Sequence, residues 1–344
     1  MKLYLLPLLA TLIGFTSCNR NDEDAYDYKD GEFFYLENKG AFMPVWVVGN
    51  VDSGIFIITN HGGPGYDSGM NFHTATESFQ QLEKEYALVY WDQRMAGSSK
   101  GNPSLEDLTI EQHVEDLEKL VTLIEHKYAP KSMFMYGHSW GGGLSILYMG
   151  KDENQSKFNG WIDEDGAIQD KYEMELKREW IVPRAEAKYE ATDDKKWKEV
   201  IQWWEDHPNP NESMDEPYQH VRMLEGYIYD KETSDALHNN SVFEQRFLAS
   251  YSFGWLHNQY EDFNFMAHYD FMPRAKNIII PTLLIWGKED GAVPVAVSDT
   301  VYSLVNTPIE DKYKVQLDEC AHAPHWEKPY IWTDEVRAFI EEYK

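Results

Sequence analysis

The stretch that most restricts the fold is Met-Phe-Met-Tyr-Gly-His-Ser-Trp-Gly-Gly-Gly-Leu-Ser-Ile-Leu-Tyr-Met, residues 133–149. Met133 to Tyr136 is an apolar run of strand length, and Leu144, Ile146, Leu147 and Tyr148 open a buried helix. Between them the chain must reverse within Gly137-His138-Ser139-Trp140-Gly141. A serine held on so tight a strand-to-helix turn crowds the backbone on both sides, and only residues without a Cβ fit there. The turn lifts the Ser139 hydroxyl clear of the sheet and leaves the Trp140 N–H at a helix N-terminus, where negative charge is favoured. Ser139 is therefore the candidate nucleophile and Trp140 a candidate oxyanion donor.

The 344 residues suffice for one α/β domain with an insertion, or for two domains. An apolar content of 42%, with 15% aromatic residues, excludes global disorder. The formal charge of −28 argues against nucleic acid or an anionic lipid surface as the main partner. At the N-terminus Lys2 precedes the apolar stretch Leu3 to Phe15, and Thr16, Ser17 and Cys18 make a small-residue cleavage site. The run is too short for an ordinary membrane-spanning helix. A cysteine directly after such a segment resembles the lipobox of bacterial lipoproteins, although Phe15 stands where leucine is usual. The expectation is a signal peptide over 1–17, a lipidated Cys18, and an acidic tether over 18–30. That implies an envelope protein touching the membrane only through its anchor. With Cys18 so used, Cys320 has no disulfide partner, and a domain of this size is stable without one.

Phe33 to Leu36 and Val45 to Val48 read as the first two strands. Ile55 to Thr59 is a continuous apolar run, as in a strand covered on both faces, and leads into His61-Gly62-Gly63-Pro64-Gly65. The glycine N–H groups of that loop, Gly63 or Gly62, are candidates for the second oxyanion donor. Ala87 to Trp91 precedes Asp92-Gln93-Arg94-Met95, and Thr109 with Gln112 makes a capping box. It opens a helix whose acidic residues (Glu111, Glu115, Asp116, Glu118) read as a solvated face. Phe158 to Ile162, Asn277 to Trp286 and Tyr313 to Leu317 complete the strands, and Trp332 to Tyr343 closes the chain as a helix. From 169 to 268 the pattern is helical, charge-dense and holds Trp180, Trp197, Trp203, Trp204 and Trp255. It reads as a helical cap, its tryptophans mostly cap core, inserted into a core made of 31–168 and 269–344. Strands alternating with helices predict a mostly parallel, doubly wound α/β sheet.

A triad on this architecture runs Ser, acid, His along the chain. Asp290, in Gly287-Lys288-Glu289-Asp290-Gly291, is the candidate acid, with Glu289 as runner-up and Asp163, Glu164 and Asp165 as remoter alternatives. His322 is the candidate base because it comes first after the last strand; His325 is the alternative. Cys320 reads as a packed thiol. His61 and His73 lack a partner at ligand spacing, and His322-x-x-His325 alone is no zinc site. With no dinucleotide or Walker loop either, neither metal nor cofactor is expected.

The His-Gly-Gly-Pro-Gly loop, Asp92-Gln93-Arg94, the Gly137–Gly141 elbow with Trp140, and the Gly-x-x-Asp and His-x-Pro loops together resemble the proline iminopeptidases. That resemblance implies the α/β-hydrolase fold with an inserted helical cap, and a serine aminopeptidase acting on short peptides. It also implies cap glutamates that bind the substrate's free amine from a dry pocket: Glu205 in Trp203-Trp204-Glu205, and Glu225 in the element from Arg222 to Tyr227. Met95 stands where that family usually has glycine, and His138 where glycine is common. A carboxylesterase or amidase of small molecules with the same triad is the alternative.

Overall fold

The computed structural model describes residues 31–65, 67–151, 153–208, 215–238 and 269–344. The expected signal segment, Cys18, the acidic tether and Trp255 lie outside the described residues. β1 (Gly31–Asn38) and β2 (Ala41–Gly49) form an antiparallel hairpin. β3 (Ile55–Asn60), β4 (Ala87–Trp91), β5 (Lys100–Gly101), β6 (Ser132–His138), β7 (Gly160–Glu164), β8 (Thr282–Gly287) and β9 (Lys312–Leu317) join them in one sheet. Its order is β1-β2-β4-β3-β6-β7-β8-β9, with the short β5 on β2. Every pairing from β4 across to β9 is parallel. All residues of β4, β6, β7 and β8 are buried, which is why these strands read as unbroken apolar runs.

Alternate residues of each strand feed two cores. Met133 and Met135 face one side with Leu117, Leu120, Leu144 and Ile146, from helices Ile110–Tyr128 and Trp140–Met149. Phe134 and Tyr136 face the other with Phe72, Phe79, Trp332 and Phe339. The sheet is thus covered on both faces, and the loops after the parallel strands gather at one edge.

Two strands begin later than their apolar runs suggest. Phe158 closes a turn on Gln155, so β7 starts at Gly160 and draws Asp163 and Glu164 into the sheet beside Gly137 and His138. β8 starts after Pro281, which has no N–H to give a ladder, while Ile279 remains exposed. Thr109 Oγ1 accepts from the Gln112 N–H at 3.1 Å. The Gln112 side chain does not return the bond; it is held by Lys39 and Asp116. Thr109→Ala should lower the unfolding free energy by about 1 kcal/mol in a urea titration, with hydrolytic rates unchanged.

One expectation is overturned. Asp116, grouped with the solvated acids of its helix, is wholly buried and bonded to the equally buried Arg94, Nε to Oδ2 at 2.5 Å and Nη2 to Oδ1 at 2.8 Å. The loop after β4 folds over this turn of the helix and brings the guanidinium with it.

Between β7 and β8 the chain leaves and re-enters the core at one point, where Gln169 and Asp270 form an antiparallel bridge. Helices Asp170–Thr192, Lys195–Asp206, Asp215–Met223 and Lys231–His238 lie in this insertion. The first three pack around a core of their own, with Trp180, Ile181, Trp197, Val200, Trp204 and Val221. Three of the expected cap tryptophans are therefore core, and Trp203 stacks on His207 at its edge.

Candidate active site

Ser139 sits between β6 and the helix Trp140–Met149 at φ 56, ψ −122, a conformation that side chains rarely adopt. It is held there by backbone bonds on both sides. Its N–H donates to Glu164 O at 3.0 Å, and its carbonyl accepts from the N–H groups of Gly142 and Ala167. The flanking glycines are sterically required. A Cβ on Gly141 would fall 2.0 Å from Asn60 O, and one on Gly137 would fall 2.4 Å from Gly141 O.

The loop after β3 lies against this turn. A Cβ on Gly62 would stand 3.4 Å from Ser139 Cβ and 3.5 Å from Asp67 Oδ2. His61 orients the loop: its Nε2 accepts from the Gln93 N–H at 3.0 Å, so Nδ1 carries the proton and donates to Gly62 O at 2.7 Å. In a planar trans peptide the Gly63 N–H then points the opposite way from the pinned carbonyl. Gln93 completes the brace, donating to His61 O at 2.9 Å and accepting from Trp140 Nε1 at 2.8 Å. The other residues of Asp92-Gln93-Arg94 have separate tasks. Asp92 accepts from Ser68 Oγ, Gly69 N and Ser98 N, and Arg94 pairs with Asp116. Met95, in the place usually held by glycine, has φ 49, which explains that preference.

Asp290 and His322 meet behind the elbow, Oδ2 to Nδ1 at 2.8 Å, both buried. The second oxygen of Asp290 accepts from Ala292 N at 2.7 Å and Val293 N at 2.9 Å. The His322 main chain is fixed at both ends, its N–H on Tyr227 O and its carbonyl on His138 Nε2. Burial, then the nearby His322 and His325, pull the His138 pKa down to about 3, so His138 is a neutral donor joining the elbow to the histidine loop. The runner-up groups are occupied elsewhere. Glu289 pairs with Arg184, and His325 Nδ1 meets Glu164 Oε1 at 2.5 Å on the far side of the sheet end. Cys320 is fully buried and burial pushes its thiol up, as suits a packed residue.

With a serine at a positive-φ turn, a buried Asp–His pair and a glycine loop at one sheet edge, comparison with known proteins becomes decisive. Residues 57–329 match the serine aminopeptidase family (S33). The chain belongs to that family. A curated relative, the proline iminopeptidase of Saccharolobus solfataricus, is 23% identical over 296 residues, covering 83% of this chain and 84% of the relative. Among solved structures, proline iminopeptidase from Mycobacterium smegmatis superposes with a TM-score of 0.64 at 16% identity, covering 91% of this chain and 98% of that one. An esterase from Rhodococcus sp. ECU1013 gives 0.58 at 16%, covering 92% and 100%. At such identities the structures show the shared α/β-hydrolase fold.

As a serine aminopeptidase family member the chain departs from expectation in its cap carboxylates. Glu205 and Glu225 are both exposed, so among the described residues neither sits in the dry pocket expected around it. Glu205 is on the water-facing side of a helix whose other side buries Trp204. Glu225 occupies a turn at φ 62, and its neighbours do reach the site: Gly226 O accepts from Gly291 N, and the Tyr227 ring packs 5.2 Å from that of His322. Asp67, partly buried beside Gly62, has no sequence signal beyond its place after the glycine loop. The fold also clusters ligand-type atoms that linear spacing does not reveal. Those of His138, Glu164 and His325 lie within 4.8 Å of one another. Glu164 there accepts from Tyr136 Oη, Trp332 Nε1 and His325, so this group reads as a hydrogen-bonded knot.

Proposed function

We propose that the protein is a serine aminopeptidase that removes N-terminal residues from short peptides. Ser139 attacks the carbonyl, His322 takes its proton and passes it to the leaving amine, and Asp290 holds the imidazole in the required tautomer. The N–H groups of Trp140 and of Gly63 or Gly62 stabilise the oxyanion. The observation that carries the reading is the buried 2.8 Å contact of Asp290 with His322, placed behind a serine held at positive φ. Its substrate class is supported by the family and by the proline iminopeptidase relative. For the free amine, Glu225 is the better placed of the two cap candidates, because Tyr227 and Gly226 tie its turn to the site. Glu205 is the outer one. The N-terminal sequence supports an envelope location with lipidated Cys18 as the anchor.

A second reading, hydrolysis of small esters or amides without an amine requirement, is favoured by the exposure of Glu205 and Glu225 and by the esterase neighbour. One comparison separates them. The detergent-solubilised full chain is given free and N-acetylated alanyl- and prolyl-nitroanilides, nitrophenyl acetate, and a Ser139→Ala control. Turnover of free anilides at least about 100-fold above the acetylated ones supports the exopeptidase, since pairing with an ammonium is what selects chain ends. Equal turnover of both, with brisk ester hydrolysis, would sink it.

A further inference from the structure

Three segments meet around His322: the acid loop carrying Asp290, the histidine loop itself, and the cap turn 226–230. The acid loop is bonded to the histidine loop, with Glu289 N donating to Cys320 O at 2.9 Å. It is bonded to the cap as well, with Gly291 N on Gly226 O at 2.9 Å. The histidine loop reaches the same cap turn, His322 N donating to Tyr227 O at 3.2 Å, and the Tyr227 ring lies against the imidazole. Trp180 of the cap sits where the acid loop and the cap turn join. A Cβ on Gly226 would fall 2.4 Å from its indole and one on Gly291 2.8 Å, so both places need glycine for so close an approach.

Glu327 ties the last two together a second time. It is half-buried and ends the short helix Pro324–Glu327 that follows the histidine loop. Its Oε1 accepts from Ala321 N at 2.7 Å. Its Oε2 accepts from Tyr229 N at 2.7 Å and from Asp230 N at 2.9 Å. All three partners are backbone donors, the set that an acceptor-only carboxylate suits. One oxygen thus holds the residue before His322, and the other holds the cap turn that accepts from His322 N. With the carboxylate gone, water can satisfy each N–H group separately, but it does not tie two segments to each other.

We propose that Glu327 is a positioning residue for His322: its carboxylate clamps the cap turn 226–230 to the histidine loop and so fixes where the imidazole stands between Ser139 and Asp290. This rests on the reading of Ser139, His322 and Asp290 given above, and it makes a segment of the cap part of the triad's frame. The His322 N–H has its acceptor on the cap turn. Once that turn shifts, the histidine is held only through its carbonyl, by His138, and through its ring, by Asp290. Misplacing a catalytic group by about 1 Å costs roughly 100-fold in rate.

The groups beside the clamp do not duplicate it. Cys320 Sγ, 3.9 Å from Glu327 Oε1, is a weak donor to the same oxygen. Asp230 turns its own carboxylate forward, accepting from Thr233 N at 2.6 Å to start the next cap helix. Arg222 lies over the Tyr227 ring, 5.1 Å from its centre, and stays within the cap. None of these three joins the cap turn to the histidine loop.

The test measures kcat and KM for nitrophenyl acetate with the full chain in wild type, Glu327→Ala and Glu327→Gln, each also combined with Asp290→Asn. Glutamine keeps one acceptor oxygen and so holds only one of the two segments. With KM within about twofold of wild type, kcat should fall by roughly 30- to 100-fold in Glu327→Ala and about 10-fold in Glu327→Gln. In the Asp290→Asn background, where His322 is already misdirected, the same substitutions should cost less than about threefold, because residues acting through one group are not additive. Melting curves are recorded alongside, and rates are taken well below the transition. A folded Glu327→Ala that keeps kcat within about threefold of wild type overturns the proposal. So does an equal fold-loss in both backgrounds, since a purely structural defect acts independently of His322. If Glu327→Ala does not fold, Glu327→Gln is judged by the same two criteria. A wild-type rate in Asp290→Asn alone would instead mean that the triad reading itself is wrong.

Discussion

Ser139→Ala is expected to lower kcat by on the order of 10⁶-fold on any ester or amide the enzyme turns over, with little change in KM. The substitution deletes the attacking oxygen and leaves everything else. Serine and alanine suffer alike at φ 56, and the bonds to Glu164, Gly142 and Ala167 run through the backbone. The melting temperature should therefore stay close to that of wild type. His322→Ala should cost about as much, and the double variant no more than either, because the two act as a unit. Asp290→Asn should lose about 10⁴-fold, since an amide facing Nδ1 favours the wrong tautomer. The residual rate should belong to the oxyanion donors and binding alone, a level about 10³–10⁴-fold above water. A Ser139→Ala protein retaining more than about one part in a hundred of the rate would mean that another group attacks.

The largest effect on stability is expected from Asp116→Ala. Arg94 and Asp116 are completely buried, and Asp116 also accepts from Asn38 Nδ2 at 2.7 Å. Its removal leaves the buried Arg94 guanidinium without its carboxylate partner, which typically costs about 3–5 kcal/mol. The pair as a whole is worth much less, because desolvation of both charges offsets their attraction. Arg94→Met combined with Asp116→Leu should thus recover most of the loss in urea unfolding. The single substitution should also reduce activity, since Arg94 adjoins Gln93, the residue that braces both His61 and Trp140. A loss below about 1 kcal/mol for Asp116→Ala would return Asp116 to the surface role that its helix pattern suggests.

That residue shows where linear reading stops. Periodicity reports which face of a helix is apolar, but it cannot foresee that the loop after β4 lays an arginine across one turn of the polar face. The elbow, the glycine loop, Asp290 and His322 were legible because each is specified locally, by a strand ending in residues that only a tight turn accepts. Strand starts at Gly160 and Thr282 were missed because an apolar run continues through the turn or proline that delays pairing. Gln93 as a bridge and His138 as a link to the histidine loop are contacts between segments far apart in the chain. Glu205 and Glu225 illustrate the converse. A motif can be present while its expected environment is not.

The most direct measurement is labelling of the full chain with a fluorophosphonate, followed by peptide mapping. Such a probe reacts with a serine whose hydroxyl is activated by an adjacent base and whose adduct sits in an oxyanion hole. The account predicts one adduct per chain, on the peptide carrying Ser139, and none in His322→Ala. No adduct on a folded, wild-type chain, or an adduct on another serine, would contradict it.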